Sequence, residues 1–155
     1  MKPRLISKKL WLFAATALVV SLALSASAAG AGSRSNLKLI ETHEAALVAC
    51  DAATLVSDYT ADATLFYPDG VIVHGRSALQ ALYDEFVMPR SAGGLCGLKA
   101  TPVRTWTMGN TTFAKFKVTA PFLAKVYFAT DGFVFKGNKI AAEMSTFDAS
   151  KLDFK

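Results

Sequence analysis

The chain has 155 residues, of which 52% are hydrophobic, and its formal net charge is +5. Four of its 17 basic residues precede position 28 and no acidic residue does, so the rest carries 13 basic against 12 acidic residues, about +1. These remaining basic residues are scattered, whereas a nucleic-acid footprint needs a basic stripe, so we expect no nucleic-acid partner. The length predicts one domain that is large enough to bury a core.

The N-terminal segment has the pattern of a secretory signal peptide. A basic start up to Lys9 is followed by an uncharged, mostly apolar run from Leu10 to Leu24 and by Ala26-Ser27-Ala28, the small residues that a signal peptidase recognises. The alternative is an uncleaved anchor, but the run is short for a bilayer span of about 20 residues. We therefore expect cleavage after Ala28, a secreted or periplasmic protein and no membrane association afterwards. Residues 29–36 would form a flexible lead-in and residues 37–150 the folded domain.

Helical spacing follows from Leu37 to Val56. One face of this segment is mostly apolar, and the charged residues Glu41, Glu44 and Asp51 fall elsewhere; the face comprises Leu39, Ile40, His43, Ala46, Leu47 and Cys50. Asp51 is a suitable N-cap for a short second helix, which predicts a break at this position.

A hairpin and a third helix come next. The apolar runs Ala63–Tyr67 and Val71–His74 flank Pro68-Asp69-Gly70, residues that favour a tight turn, and so predict two paired strands. Ser77 is the expected N-cap of a helix from Ala78 to Met88, which Pro89 ends. The apolar face of this helix comprises Leu79, Leu82, Tyr83 and Phe86.

The rest of the chain predicts strands. They are expected over Lys99–Met108, Thr112–Thr119, Lys125–Lys136 and Lys139–Phe147. Pro102 lacks a backbone donor, so its strand lies at an edge of the sheet or carries a bulge. Helices first and antiparallel strands last indicate an α+β domain.

The two cysteines, Cys50 and Cys96, leave two interpretations open. Export into an oxidising compartment favours a disulfide, but two small buried thiols fit the sequence equally well. No Cys-x-x-Cys, His-x-x-x-His or carboxylate cluster is present. The sequence therefore predicts neither a metal nor another cofactor.

Two segments, YTADATLFYPDGVIVHGRSAL and DGFVFKGNKIAAEMSTFD, resemble sequences of the nuclear transport factor 2-like superfamily, and of its SnoaL-like branch in particular. The resemblance runs from about Leu39 to Asp148. It implies a cone-shaped curved antiparallel sheet wrapped around the N-terminal helices and the helix after the first hairpin, with a deep apolar pocket. Such proteins commonly dimerise through the sheet. They include ketosteroid isomerases, polyketide cyclases, dehydratases, epoxide hydrolases and domains with no chemistry.

The resemblance also carries candidate catalytic residues. His43 stands where the steroid isomerases have an oxyanion-binding Tyr, Tyr67 where they have a general-base Asp, and Asp131 where they have a protonated Asp. A Tyr with a pKa of about 10 is a poor base, so steroid isomerisation is not predicted. The predicted arrangement is His43 as base or acid, Asp131 as its orienter and Tyr67 as hydrogen-bond donor. The alternatives are a core histidine, a turn or bulge aspartate and a rim tyrosine.

The implied pocket has further candidate residues. Its predicted lining comprises Leu47, Tyr59, Leu82, Tyr83, Phe86, Trp106, Phe116 and Phe133. Trp106 and Met108 share a face that suits either the pocket or a dimer surface. Simple strand alternation turns Ile140, Ala142 and Met144 inward and Glu143 outward. We expect Glu143 outside, although the family pattern would place it in the pocket, because a buried carboxylate needs a partner.

Two function classes follow from these observations. The first is an exported homodimer that binds a small apolar molecule, with or without cofactor-free isomerase, dehydratase or hydrolase activity. The second is a non-catalytic interaction or accessory module whose cavity is filled by its own side chains. A void around His43 would favour the first class, and a packed interior the second.

Overall fold

The computed structural model describes Gly32 and residues 34–155, so the predicted signal peptide and its cleavage site lie outside the described residues. Within the described part, no helix is long and apolar enough to cross a bilayer. The principal elements are α1 (34–48), α2 (Ala52–Ser57), β1 (Tyr59–Phe66), β2 (Ile72–His74), α3 (Arg76–Phe86), β3 (Lys99–Met108), β4 (Thr111–Thr119), β5 (Tyr127–Phe135) and β6 (Ile140–Met144).

The strands form one six-stranded sheet in the order β2-β1-β6-β5-β4-β3. The prediction of an α+β domain with a curved sheet is confirmed. The sheet is not antiparallel throughout, because β6 pairs with β1 in parallel, with Phe66 opposite Met144. This pair is parallel because β6 reaches β1 only after α3 and three further strands, rather than through a hairpin.

Local signals place the helix boundaries. Asp51 caps α2 by accepting a hydrogen bond from the Thr54 backbone N–H at 3.0 Å, so the predicted break is confirmed. The prediction of Ser77 as the cap of α3 is wrong, because the N-cap is Gly75, with no side-chain hydrogen bond and a φ of +82°. Glycine accepts this conformation and lets the hairpin lead directly into the helix.

The folded unit extends beyond the predicted limits of 37–150. Residues 34–36, expected in the lead-in, already belong to α1, and Asn36 is buried. At the other end Leu152 is buried, and Phe154 forms a bridge with Leu123. At both ends, residues that the sequence pattern had left outside the domain therefore take part in its packing or pairing.

A bulge in β3 decides which residues of this strand face inward. The register against β4 shifts between Pro102 and Arg104, and β3 lies at an edge of the sheet, so both expectations for Pro102 are confirmed. Before the bulge, even-numbered residues such as Ala100 pair with buried positions of β4; after it, Trp106 pairs with the exposed Phe113. Trp106 therefore lies on the outer face, 43% exposed, and not in the predicted pocket lining.

Cys50 and Cys96 form a disulfide, with their Cα atoms 5.3 Å apart. Cys50 follows α1 with a φ of +59°, and the Cys50 and Asp51 N–H groups donate to the carbonyls of Leu47 and Ala46. This is the helix-ending turn in which glycine is usual. The bond ties the end of α1 to the loop between α3 and β3.

Candidate functional site

A cavity of about 60 Å³ lies between the helices and the inner face of the sheet. Part of its lining is apolar and includes Leu47, Phe86, Leu98, Phe116 and Phe147. The polar part of the lining comprises His43, Glu44, Tyr67, Tyr83, Asp131, Glu143 and Ser145. The pocket is thus much more polar than the apolar pocket that the resemblance implied.

A larger surface cleft of about 490 Å³ adjoins this cavity. The two share three lining residues, Tyr67, Phe86 and Phe147, which we call the aromatic wall. The rings of Phe86 and Phe147 meet edge to face with centroids 5.7 Å apart. The outer part of the cleft is lined by Pro68, Asp69 and residues 148–150. The aromatic wall therefore separates a small polar chamber from a larger open one.

Glu143 is buried, with 7% of its surface exposed, so the expectation that it points outward is wrong. The reason is a bulge in β6. Its register against β5 advances by two residues, from Ile140 to Ala142, while β5 advances by one. Simple alternation fails across this extra residue, so Ile140 and Glu143 both face inward and Met144 faces out.

Glu143 has the partner that its burial requires. Its Oε2 is hydrogen-bonded to the hydroxyl of Tyr59, which in turn lies 2.7 Å from the hydroxyl of Tyr83. The Tyr83 hydroxyl is 3.4 Å from His43 Nε2, and His43 Nδ1 is 3.3 Å from Asp58 Oδ2. These five buried side chains form a continuous hydrogen-bonded chain, which we call the relay.

Asp58, rather than Asp131, orients His43. A carboxylate at Nδ1 holds the ring proton there and leaves Nε2 towards Tyr83. Asp131 accepts instead from the Ser145 hydroxyl at 2.8 Å and from the Thr146 N–H at 3.0 Å. The predicted His43–Asp131 dyad is therefore wrong in its partner, although both residues line the cavity. Asp131 lies in the middle of β5, neither in a turn nor at a register shift.

Burial raises the pKa values of the cavity acids, and the Asp131 charge adds to the rise at Glu143. Desolvation and the neighbouring Asp131 carboxylate raise the pKa of Glu143 to about 8. Desolvation raises the pKa of Asp131 to about 6, against the opposing hydrogen bonds from Ser145 and Thr146. Glu143, whose pKa is raised further, therefore keeps its proton to higher pH than Asp131 does. The pKa of Tyr67 is also raised, mainly by burial, so its hydroxyl remains a donor.

Glu44 is a member of the site that the sequence analysis missed. Its Oε2 is sealed from solvent and has no hydrogen-bond partner among the described residues. Desolvation, followed by the charges of Asp131 and Glu143, raises its pKa well above the usual value. The signal was present in the sequence, because Glu44 lies four residues after Ile40 and three before Leu47, on the edge of the same helix face.

Other predicted lining residues are divided between the cavity and the core. Leu47, Tyr83, Phe86 and Phe116 line the cavity. Tyr59 and Phe133 are buried in the core behind it, and Leu82 is half-buried against that core. Among the described residues, no group of three His, Cys, Asp or Glu side chains is placed to hold a metal ion.

The outer face of the sheet carries a continuous row of mostly apolar residues. Strand pairing places Phe66 beside Met144, Met144 beside Gly132, Gly132 beside Phe113, and Phe113 beside Trp106. The four side chains of this row are between 38% and 59% exposed. We call this row the apolar stripe; it crosses five of the six strands.

Solved structures with similar architecture identify the fold. A nuclear transport factor 2-like protein of unknown function from Burkholderia pseudomallei K96243 is 14% identical, with a TM-score of 0.61 over 76% of this chain and 93% of its own. A candidate ketosteroid isomerase from Kribbella flavida is 10% identical, with a TM-score of 0.59 over 74% and 78%. A candidate polyketide cyclase from Sinorhizobium meliloti is 18% identical, with a TM-score of 0.57 over 70% and 94%.

No family model and no curated protein matches the sequence. The likeness to solved structures nevertheless shows the architecture. The chain has the nuclear transport factor 2-like fold, as the two sequence segments that resemble this superfamily predicted.

Proposed function

We propose that the chain binds a small molecule whose polar head enters the cavity and whose apolar body occupies the cleft. A volume of about 60 Å³ holds a few water molecules or a small functional group, whereas ligand pockets usually exceed about 300 Å³. The cleft of about 490 Å³ supplies the missing space. The shared aromatic wall would enclose the junction between the two parts of the ligand.

We further propose that Asp131 and Glu143 act as a base and an acid on the bound head. The observation that carries this proposal is their convergence in one buried cavity, with pKa values of about 6 and about 8. Two carboxyls in opposite protonation states near neutral pH suit cofactor-free proton transfer. Isomerisation, dehydration and hydrolysis are the reaction classes that use such a pair. Structural neighbours that include a candidate isomerase and a candidate cyclase support this proposal.

The relay gives Glu143 a route for its proton. With Glu143 neutral, Glu143 can donate to Tyr59, Tyr59 to Tyr83, and Tyr83 to His43 Nε2. Reversing every bond leaves Glu143 ionised and His43 doubly protonated, which the buried Asp58 carboxylate stabilises. One proton is thereby moved from Glu143 to His43 without any side chain leaving its position. In this mechanism His43 is the proton store behind Glu143 rather than the group that contacts the substrate.

Proton exchange tests the acid–base proposal. In heavy water, the protein is expected to accelerate deuterium uptake next to the carbonyl of small aryl ketones, followed by NMR. Asp131→Asn and Glu143→Gln should each reduce the rate by about 100-fold, since a positioned acid or base contributes this much. Glu41→Gln, an exposed position on α1, is the matched control. Uptake at the buffer rate across the ketone panel, or equal rates in Glu143→Gln, would contradict the proposal.

The second function, a non-catalytic accessory module, is favoured by the small volume of the inner cavity. Native mass spectrometry of the purified protein distinguishes the two. A small molecule that is retained and then released on denaturation supports the binding site. If the purified protein carries no small molecule and binds none of the aryl ketones, the accessory module is favoured.

We also propose that the protein is exported and acts as a homodimer. The predicted signal peptide and the Cys50–Cys96 disulfide support export, because disulfides persist in oxidising compartments. The apolar stripe supports dimerisation, since a second copy would cover it. Met144→Lys is expected to convert a dimer into a monomer in light scattering. Val126→Lys, at an exposed position off the stripe, should not. A wild-type monomer at the highest concentration measured would refute the dimer.

A further inference from the structure

We infer that Glu44 anchors an ammonium group carried by the ligand of the cavity. This inference rests on the small-molecule binding proposed above and adds the chemical class of the ligand's head. Its basis is an unsatisfied acceptor. Glu44 is a lining residue of the cavity, and its Oε2 is closed to solvent and has no partner among the described residues, whereas Asp131 and Glu143 are each hydrogen-bonded. A buried polar atom without a partner is costly, so a donor supplied by a ligand would relieve it.

The charge of the cavity favours a cation over a neutral donor. Three carboxyls converge there, and the described lining contains no Lys or Arg. An anionic head would face repulsion from every ionised carboxyl and would have no basic side chain to bind. An ammonium group offers three donors and one positive charge, so it can bond Glu44 and stabilise the charge on Asp131 together.

The shape of the site fits a primary amine with an apolar body. A primary ammonium head is small enough for a chamber of about 60 Å³. The rings of Tyr83 and Phe86 meet edge to face, with centroids 6.4 Å apart, beside this chamber and add aromatic surface for a cation. The chain attached to the amine would pass the aromatic wall into the cleft. A carbon that Asp131 and Glu143 act on would then lie only a few bonds from the nitrogen.

Amine binding should release protons. Without a bound cation the acids do not all ionise near neutral pH, because desolvation raises the pKa of each and the Asp131 charge raises those of Glu44 and Glu143 further. A bound cation lowers these pKa values, so up to one proton leaves for each amine that enters. The titratable groups that face Glu44 across the cavity are His43, Tyr67, Tyr83, Asp131 and Glu143. A neutral ligand of the same shape should release none.

Three matched probes test the inference by calorimetry on the mature protein. Phenethylamine is expected to bind, phenethyl alcohol at least tenfold more weakly, and phenylacetate not at all. Repeating the amine titration in phosphate and in HEPES, which is not a primary amine and has a different ionisation enthalpy, measures the released protons. Glu44→Gln keeps the shape and breaks no described hydrogen bond, so it should fold normally while losing at least tenfold in amine affinity. Glu41→Gln, on the exposed side of α1, should bind the amine like the wild type.

Each outcome decides the inference. Amine binding that is lost in Glu44→Gln but kept in Glu41→Gln supports it. Equal binding of amine and alcohol, unchanged amine affinity in Glu44→Gln, or no amine binding overturns it. Ketone exchange that persists while the amine fails to bind would overturn the anchor alone. If the amine binds through Glu44 but the protein does not accelerate deuterium exchange of the ketones, the acid–base proposal is contradicted and the anchor is kept.

Discussion

Between pH 4.5 and pH 8 the free energy of unfolding is expected to fall steeply, because the folded protein holds protons that the unfolded chain releases. Burial raises the pKa of Glu143 from 4.5 to about 8, so its contribution is complete below the lower value and is lost as pH rises through the upper one. This single shift corresponds to on the order of 5 kcal/mol. Asp131, whose pKa is raised in the same direction, further lowers the free energy of unfolding as the pH rises from 3.8 to about 6.

Glu143→Gln should remove the Glu143 part of this slope, whereas Asp131 and Glu44, whose pKa values are also raised by burial, should keep theirs. The amide keeps the hydrogen bond to Tyr59 and cannot ionise, so at pH 8 the variant is expected to be more stable than the wild type. Urea unfolding at a series of pH values measures the effect, with Glu41→Gln as the control on the exposed face of α1. The lowered pKa values of Asp51, Asp62 and Asp148 act in the opposite direction, but only below pH 3.8. A stability that rises with pH across the window, or an unchanged slope in Glu143→Gln, would contradict the assignment.

Removing the disulfide is the second large effect. Cys50 and Cys96 are separated by 46 positions, and a loop of this length predicts a loss of about 4 kcal/mol when the bond is absent. Because Leu47 and Leu98 lie close in sequence to the two cysteines and line the cavity, the loss should also loosen that wall. Urea unfolding of Cys50→Ala/Cys96→Ala measures the change. Stability equal to that of the oxidised wild type would contradict it.

A matched variant separates the bond from the backbone conformation. Cys50 has a φ of +59°, which glycine adopts without a steric penalty. Cys50→Gly/Cys96→Ala should therefore recover about 1 kcal/mol relative to Cys50→Ala/Cys96→Ala. Identical stabilities of the two variants would show that this residue relaxes once the disulfide is gone.

The sequence predicts most of the fold because local signals agree with the tertiary arrangement. Asp51 ends one helix and caps the next, and Pro102 marks a bulged edge strand, as their chemistry requires. Ser77 is the exception among the helix boundaries, because it was predicted to be the N-cap of α3 from its side-chain type alone. The positive φ of Gly75 starts α3 two residues earlier than such a cap would.

The site is less predictable because two bulges change which residues face inward. One moves Trp106 to the outer face and another turns Glu143 into the cavity, and an extra residue in a strand leaves no periodic signal of its own. The relay depends on contacts between residues far apart in sequence, as between Tyr59 and Glu143. Glu44 could have been found, since its helical spacing to Ile40 and Leu47 places it at the edge of the buried face.

The most direct test of the central claim, a buried carboxyl pair in opposite protonation states near neutral pH, is a carbon-13 NMR titration of the Asp and Glu side chains. Glu143→Gln and Asp131→Asn assign the two signals. We expect carboxyl transitions near pH 8 for Glu143 and near pH 6 for Asp131, and a lower Glu143 pKa in Asp131→Asn, because the Asp131 charge is one cause of the rise. Transitions of both residues close to 4.5 and 3.8, the values of exposed carboxyls, would contradict the proposed acid–base pair.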